Sequence, residues 1–412
     1  MKINLFRRMS STSSLIIIGA CALSVAQAHD NAQADLPSTQ HEAIADHSTA
    51  SPHDVAQPII YPTTPSKRAD GERWRIGYVD GGDYDEYSDT LRALVLGLQA
   101  LGWLSISDIP TNLDGHQLWR FLAVHTKSDY LEFVSDAWWQ PGNFDDSKRP
   151  AMRQAIAQRV STAHDIDLII AMGTWAGQDM VALRAPVPTI VAAASDPVQT
   201  HIIHSPRDSG LDNLLAGVEP ERYERQLRVF HEVVPFKRLG IVFENTPEGK
   251  TYSALSAARQ VARERGFALV TCHAPWNNVA LSQATQNVLD CYRRLAPDID
   301  AAYVTAHRGI TRDSIKLVAR LLQDAQIPSF SMLGAPQVRQ GILLSLAQAD
   351  VSYTGMFYAK AIARIFNGAQ ARQLNQIWMD PARLVINLHT ARLIGFDPPV
   401  DTLLAADEIV DD

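Results

Sequence analysis

Unbroken apolar runs of strand length alternate with amphipathic stretches of helical length, and the alternation comes in two successive series. The first series contains WRIGYV (74–79), YLEFV (130–134), DLIIAMG (167–173) and PTIVAAA (188–194). Between them the spacing predicts helices over 87–103, 151–162 and 175–183; Leu91, Leu94, Leu98 and Leu101 share one face of the first. The second series contains RLGIVFE (238–244), FALVTCH (267–273), DAAYVTA (300–306) and PSFSML (328–333), with helices over 222–234, 251–265, 281–295 and 314–326. A strand that is apolar at every position must be covered on both faces, which is the condition of a parallel sheet flanked by helices. The expected fold is therefore α/β, with two Rossmann-like lobes, each built on a parallel sheet, around a ligand cleft. The stretch 111–127 reads as a helical insertion, 355–368 as a further helix, and 383–395 as a strand followed by a short helix.

The chain has 412 residues, a size that suits two lobes, and 46% hydrophobic residues suit a large core. Its start has the three parts of a secretory leader. Lys2, Arg7 and Arg8 are followed by the apolar run Leu15–Val25 and the small-x-small site Ala26-Gln27-Ala28. The apolar run is shorter than the roughly 20 residues of a membrane-spanning helix. Residues 1–28 are thus expected to be a signal peptide. Ile18-Gly19-Ala20-Cys21 offers a second reading, a lipoprotein processing site that would anchor the chain through Cys21. Residues 29–72, rich in Ala, Asp, Ser, Thr, Pro and His, read as a disordered linker. Loss of Lys2, Arg7 and Arg8 with the leader takes the formal charge from −8 to −11, which argues against nucleic acid as a partner. Cys272 and Cys291 remain in the mature chain, either paired or as two buried thiols.

Ligands of open parallel sheets bind beyond the carboxyl ends of the strands. The residues there are Asp80 to Tyr84, Gly173-Thr174-Trp175 and Ser195-Asp196-Pro197 in the first series. In the second they are Asn245-Thr246, His273, Thr305 to Arg308 and Ser331-Met332. Each junction taken alone is also what ordinary helix capping produces. No G-x-S-x-G, P-loop, HExxH or CxxC motif is present, and Gly81-Gly82 does not form a dinucleotide fingerprint. No cofactor, metal or catalytic residue is expected. His201 and His204 read as part of a solvated connection between the two series, with the linkage at 199–215.

Several stretches resemble one known family, the periplasmic substrate-binding proteins of ABC importers that include tryptophan-binding members. They are DLIIAMGTWAGQ (167–178), VPTIVAAASDPV (187–198), ERQLRVFHEVVPFKRLGIVFE (224–244), DAAYVTAHRGITRDSIKLVARLLQDAQIPSFSM (300–332) and RLVINLHTARLIGFDPP (383–399). The resemblance runs from about Arg73 to Ala405 and implies a type I periplasmic binding-protein fold with the ligand between the lobes. Its matching positions imply Gly173, Thr174, Ser195, Asp196, Asn245, Thr305 and Ser331 as ligand contacts. Local physics adds Asp83 as an acceptor for an amino group, Tyr84 and Trp175 as aromatic faces, and Arg308 as a cation for a carboxylate. The loop 80–84, the insertion 111–127 and His307-Arg308-Gly309 depart from the family's usual pattern.

The expectation that follows is a monomeric periplasmic protein that is not an enzyme. It captures a small organic solute, an amino acid or another carboxylate, and delivers it to ABC permease subunits in the inner membrane. An exported sensor feeding a membrane receptor, and an exported α/β enzyme, are the alternatives. The expected boundaries put 73–198 with about 335–372 in the first lobe and 199–334 with about 373–412 in the second.

Overall fold

The structure is a computed structural model that describes residues 60–348, 351–379 and 382–411. The leader, Cys21, the Ala28 boundary and linker residues 29–59 lie outside the described residues. In chain order the first half contains β1 (Trp74–Asp80), α1 (Asp85–Ala100), α2 (Gly115–His125), β2 (Leu131–Trp139), α3 (Arg149–Thr162), β3 (Leu168–Met172), α4 (Gly173–Leu183), β4 (Thr189–Ala192) and β5 (Leu214–Ala216). Then come α5 (Arg222–Val233), β6 (Arg238–Phe243), α6 (Pro247–Tyr252), α7 (Leu255–Arg265), β7 (Ala268–His273), α8 (Leu281–Leu295), β8 (Ala301–Val304), α9 (Ile315–Asp324), β9 (Ser329–Ser331), α10 (Ala335–Val338) and β10 (Leu344–Gln348). The last elements are α11 (Val351–Phe366), β11 (Ala382–Asn387), α12 (Leu388–Leu393), α13 (Val400–Ala405) and β12 (Glu408–Val410).

The strands form two sheets, ordered β2-β1-β3-β4-β5 and β12-β11-β10-β9-β8-β6-β7. All pairings are parallel except β10 with β11. The unbroken apolar runs sit where both faces are covered. In β3, Leu168, Ile170 and Met172 enter one hydrophobic cluster with α1, α2 and α11, while Ile169 and Ala171 enter another with α3 and α4. β8 does the same in the second lobe, Ala301 and Tyr303 facing one cluster and Ala302 and Val304 the other. Period-two alternation sends successive side chains to opposite faces, so two apolar faces require a continuous apolar strand.

The boundaries differ from those expected. β5 pairs with β4, so the chain stays in the first sheet through Ala216 and crosses only before α5. β10 pairs with β9 and β11 in the second sheet, although 335–372 was expected whole in the first lobe. From α11 onward that stretch returns to the first lobe, α11 packing along α1 through two glycines and Ala369 and Ala371 joining the same core. A Cβ on Gly355 would lie 2.3 Å from the Ala93 carbonyl, and one on Gly97 would lie 2.8 Å from the Ala359 Cβ. The chain therefore crosses between the sheets a second time between Gln348 and Val351, and a third time between Phe366 and Ala382. The first and third crossings run side by side: Val218 N donates to Gln376 O at 2.8 Å, and Trp378 N donates to Val218 O at 3.0 Å.

The linker also ends sooner than residue 72. The indole N–H groups of Trp103 and Trp74 donate to Thr63 O and Ser66 O at 2.9 and 2.8 Å. Asn367 Nδ2 donates to Pro62 O and Thr64 O. Buried N–H groups need acceptors, and this backbone supplies them. Cys272 on the edge strand β7 and Cys291 on α8 form a disulfide. No helix among the described residues is long and apolar enough to cross a membrane.

Candidate functional site

The carboxyl ends of β1, β3 and β4 face those of β6, β8 and β9 across a cleft, and aromatic side chains fill its middle. Phe144, from the loop between β2 and α3, stacks on Trp276 of the second lobe at 6.0 Å between centroids and 22° between planes. It also meets the Trp175 ring edge-on at 5.7 Å. The Arg308 guanidinium lies 5.6 Å from the Phe144 ring centre, a cation–π contact across the lobes. Gly142, Asn143 and Phe144 all have positive φ, and this tight turn lifts the Phe144 ring into the cleft. Ion pairing closes one edge. Arg312, between β8 and α9, pairs with Asp89 of α1, and its backbone N–H donates to Asp85 at 3.1 Å.

The aromatic plug leaves a cavity on each side. The first, of about 300 Å³, is walled by both lobes and by all three crossings. Its polar groups come from distant parts of the chain: Glu86 from α1, Ser195 and Asp196 from beyond β4, Glu219 from the first crossing, and Arg222 from the first turn of α5. Tyr223 donates to Ser195 O at 3.1 Å, tying α5 to the first lobe. Burial disfavours the Arg222 charge, but Tyr223, Glu219 and Glu86 outweigh it and hold the guanidinium above its ordinary pKa. Burial raises the Glu86 carboxyl, with Arg222 pulling the other way.

The second cavity, of about 260 Å³, opens on Asp83, Tyr84, Asp114, Arg308 and Arg312. Asn143 Nδ2 donates to Asp83 at 3.2 Å, and burial raises the Asp83 carboxyl above its ordinary value. Gln140 Nε2 bridges Asp83 and Asp80, at 3.4 Å and 3.1 Å. Asp80 is 1% exposed, and burial, reinforced by Asp83, raises its pKa to about 8 despite the Gln140 hydrogen bond.

The expected contact residues separate accordingly. Ser195 and Asp196 line the first cavity; Asp83, Tyr84 and Arg308 line the second. Ser195 opens a turn rather than a helix, and Asp196 Oδ1 is occupied by the N–H groups of Val198 and Gln199. Arg308, expected to await a carboxylate, already donates to Trp276 O and Val279 O at 3.2 and 2.9 Å. Gly173 lies under the Tyr87 hydroxyl, which a Cβ would meet at 1.9 Å, and Thr174 is buried beside it. Trp175 packs in the plug with the Arg149 guanidinium 4.6 Å from its ring centre. Thr305 and Ser331 turn inward, donating to Val242 O at 2.8 Å and Gln337 Oε1 at 2.6 Å. Asn245 is exposed and lines neither cavity. The sequence reading missed Phe144, Trp276, Glu86, Glu219 and Arg222. The Gly142-Asn143 pair was the one local signal, since it marks a tight turn. Trp138 and Trp139 are the last residues of β2. Among the described residues no group of three or more His, Cys, Asp or Glu is placed to hold a metal.

Solved structures share this fold. A conserved domain protein from Vibrio cholerae is 19% identical, with a TM-score of 0.61 over 82% of this chain and 100% of that one. An ABC domain from Streptococcus pneumonia in complex with L-Trp is 18% identical, with a TM-score of 0.63 over the same shares. A ligand-free, open substrate-binding protein with adhesive properties from Clostridium difficile is 16% identical, with a TM-score of 0.52, again covering 82% and 100%. At these identities the likeness is one of fold, that of the type I periplasmic binding proteins. No curated protein sequence matches the chain. A family model described as ABC transporter substrate binding protein matches residues 143–410. With that match over most of both lobes, the chain belongs to the family of ABC transporter substrate-binding proteins.

Proposed function

We propose that the chain is the extracytoplasmic capture component of an ABC importer, taking a small organic solute into the first cavity and presenting it to inner-membrane permease subunits. One observation carries this reading: the cavity of about 300 Å³ is walled by both lobes and by every crossing between them. A solute there touches both lobes and the hinge at once, so its binding free energy favours one lobe arrangement over others. The volume is at the lower end of the range for ligand pockets, which suits a solute about the size of an amino acid. Arg222 in the first turn of α5 supplies a cation and a helix N-terminus for a carboxylate. The second cavity, with Arg308 committed to two carbonyls, offers a carboxylate less. The chain acts as a monomer in the periplasm on this reading, freed after Ala28 or anchored through Cys21.

A thermal-shift screen of the exported protein tests capture, with amino acids, amines, small carboxylates and sugars as probes. Saturation at 100 times Kd stabilises the protein by about 2.7 kcal/mol, a shift that is easily read. Loss of uptake of the identified solute on deleting the chain tests delivery. Uptake that is unchanged in the deletion, with the solute still bound in vitro, favours the sensor reading instead.

A further inference from the structure

We infer that the solute of the first cavity carries an ammonium or guanidinium group and binds as a cation. This rests on the capture reading above and names its substrate class. The wall of the cavity holds five carboxylates, on Glu86, Asp196, Glu219, Glu221 and Glu224, against the single guanidinium of Arg222. Their surroundings divide them. Asp196 is satisfied by two backbone N–H groups, and Glu221 is exposed and pairs loosely with Arg228 at 3.8 Å. Glu219 and Glu86 are different.

The Glu219 side chain is only 7% exposed. Arg225 occupies its Oε1, yet Oε2 is buried with no hydrogen-bond partner. Arg222 Nε stands 3.8 Å from that atom, outside hydrogen-bond reach, and is itself without a hydrogen-bond partner. Glu86 faces the cavity from the first turn of α1, and no described group donates a hydrogen bond to it. Arg225 pairs with Glu219, which leaves Arg222, hydrogen-bonded to neither acid, as the one cation of the wall beside Glu86. A carboxylate oxygen shielded from water without a donor is unfavourable, and an incoming cation with N–H groups supplies that donor. The rings of Tyr223, Tyr358 and Trp378 complete the wall, and aromatic faces attract a desolvated cation. An anion entering the same space would meet the guanidinium of Arg222 together with the carboxylates of Glu86, Asp196 and Glu224. A carboxylate is admitted only as the far end of a molecule whose amine or guanidinium outweighs it.

Isothermal titration of the full exported chain separates the cases, using four probe sets: arginine, lysine and agmatine as cations; neutral amino acids; succinate and benzoate as anions; and glucose. The expected result is binding by a member of the cationic set, weakened at least tenfold in Glu86→Gln and retained in Glu86→Asp. If Glu86→Gln fails to fold, Glu224→Gln and the salt dependence of the wild-type affinity serve in its place, with weaker binding expected in both. Binding confined to anions, sugars or neutral amino acids overturns the cationic inference and leaves capture standing. Cation binding that is unchanged in Glu86→Gln overturns it also. Heat from none of the probes, repeated with no shift in the thermal screen, overturns capture and this inference together.

Discussion

Replacing Asp80 with asparagine isolates the cost of burying one carboxyl group under the cleft. Asp80 ends β1 and is 1% exposed, and the buried Tyr78 hydroxyl lies on the same strand. The pKa of Asp80 rises from 3.8 to about 8, chiefly through burial. The folded protein therefore keeps a proton that the unfolded chain releases. Stability from this group is complete below pH 3.8 and is lost as the pH rises toward 8, because the unfolded state binds fewer protons in that interval. At 1.36 kcal/mol per pH unit, the interval from 3.8 to 7 is worth about 4 kcal/mol. A carboxamide keeps the shape, still accepts from Gln140, and offers an N–H where the acid offers its proton. Allowing about 1 kcal/mol for the altered hydrogen bonds, Asp80→Asn should be more stable than wild type by about 3 kcal/mol at pH 7. Urea unfolding of both proteins between pH 4 and pH 9 measures this. The advantage should be small at pH 4, grow to pH 8 and then level off. A variant less stable than wild type at pH 7, or an advantage independent of pH, refutes the reasoning.

The other predictions concern single contacts. His307 is buried, hydrogen-bonded to Ala274 O and Gly309 N, and burial lowers its pKa from 6.5 to about 4. It folds neutral, so wild type should lose up to about 3 kcal/mol as the pH falls from 6.5 to 4, a loss that His307→Gln should largely lack in acid unfolding curves. Arg308→Ala strands Trp276 O and Val279 O inside the lobe contact, so it should destabilise the empty protein by about 2–3 kcal/mol in chemical denaturation. Cys272→Ser opens a loop of sequence separation 19 and should lower stability by about 3 kcal/mol, an effect that a reductant reproduces in wild type and not in the variant.

The alternation of strands and helices was legible because β3 and β8 are buried on both faces, and burial of that kind writes itself into every residue of a strand. The three-residue β5 and β12 left no such mark. Their pairing depends on what lies beside them in space, and a run as short as Leu214–Ala216 reads equally well as part of a loop. A place for 335–372 in the first lobe was expected, but the packing of α11 on α1 was hidden for a related reason. An amphipathic helix announces that it needs a partner, while the choice of partner here rests on the close approach at Gly97 and Gly355.

The site divides in the same way. That candidate contact residues should be sought just past the strands followed from the sequence, because helix starts and strand ends meet there. Which of them face a cavity did not. Thr305 and Ser331 have the same local setting as Ser195, but nearby backbone and Gln337 offered them better hydrogen bonds inside the second lobe. Phe144 and Trp276 lie far apart in sequence and meet only because two lobes close on each other. The acidic wall of the first cavity is assembled from α1, the first crossing and α5, segments whose charges look like solvated surface when read in order. The sequence by itself determined that there would be two successive series of strands covered on both faces and mainly parallel, since that follows from local periodicity. Only the tertiary structure decided what fills the cleft and what charge it presents, because those depend on side chains brought together by three crossings that no local pattern records.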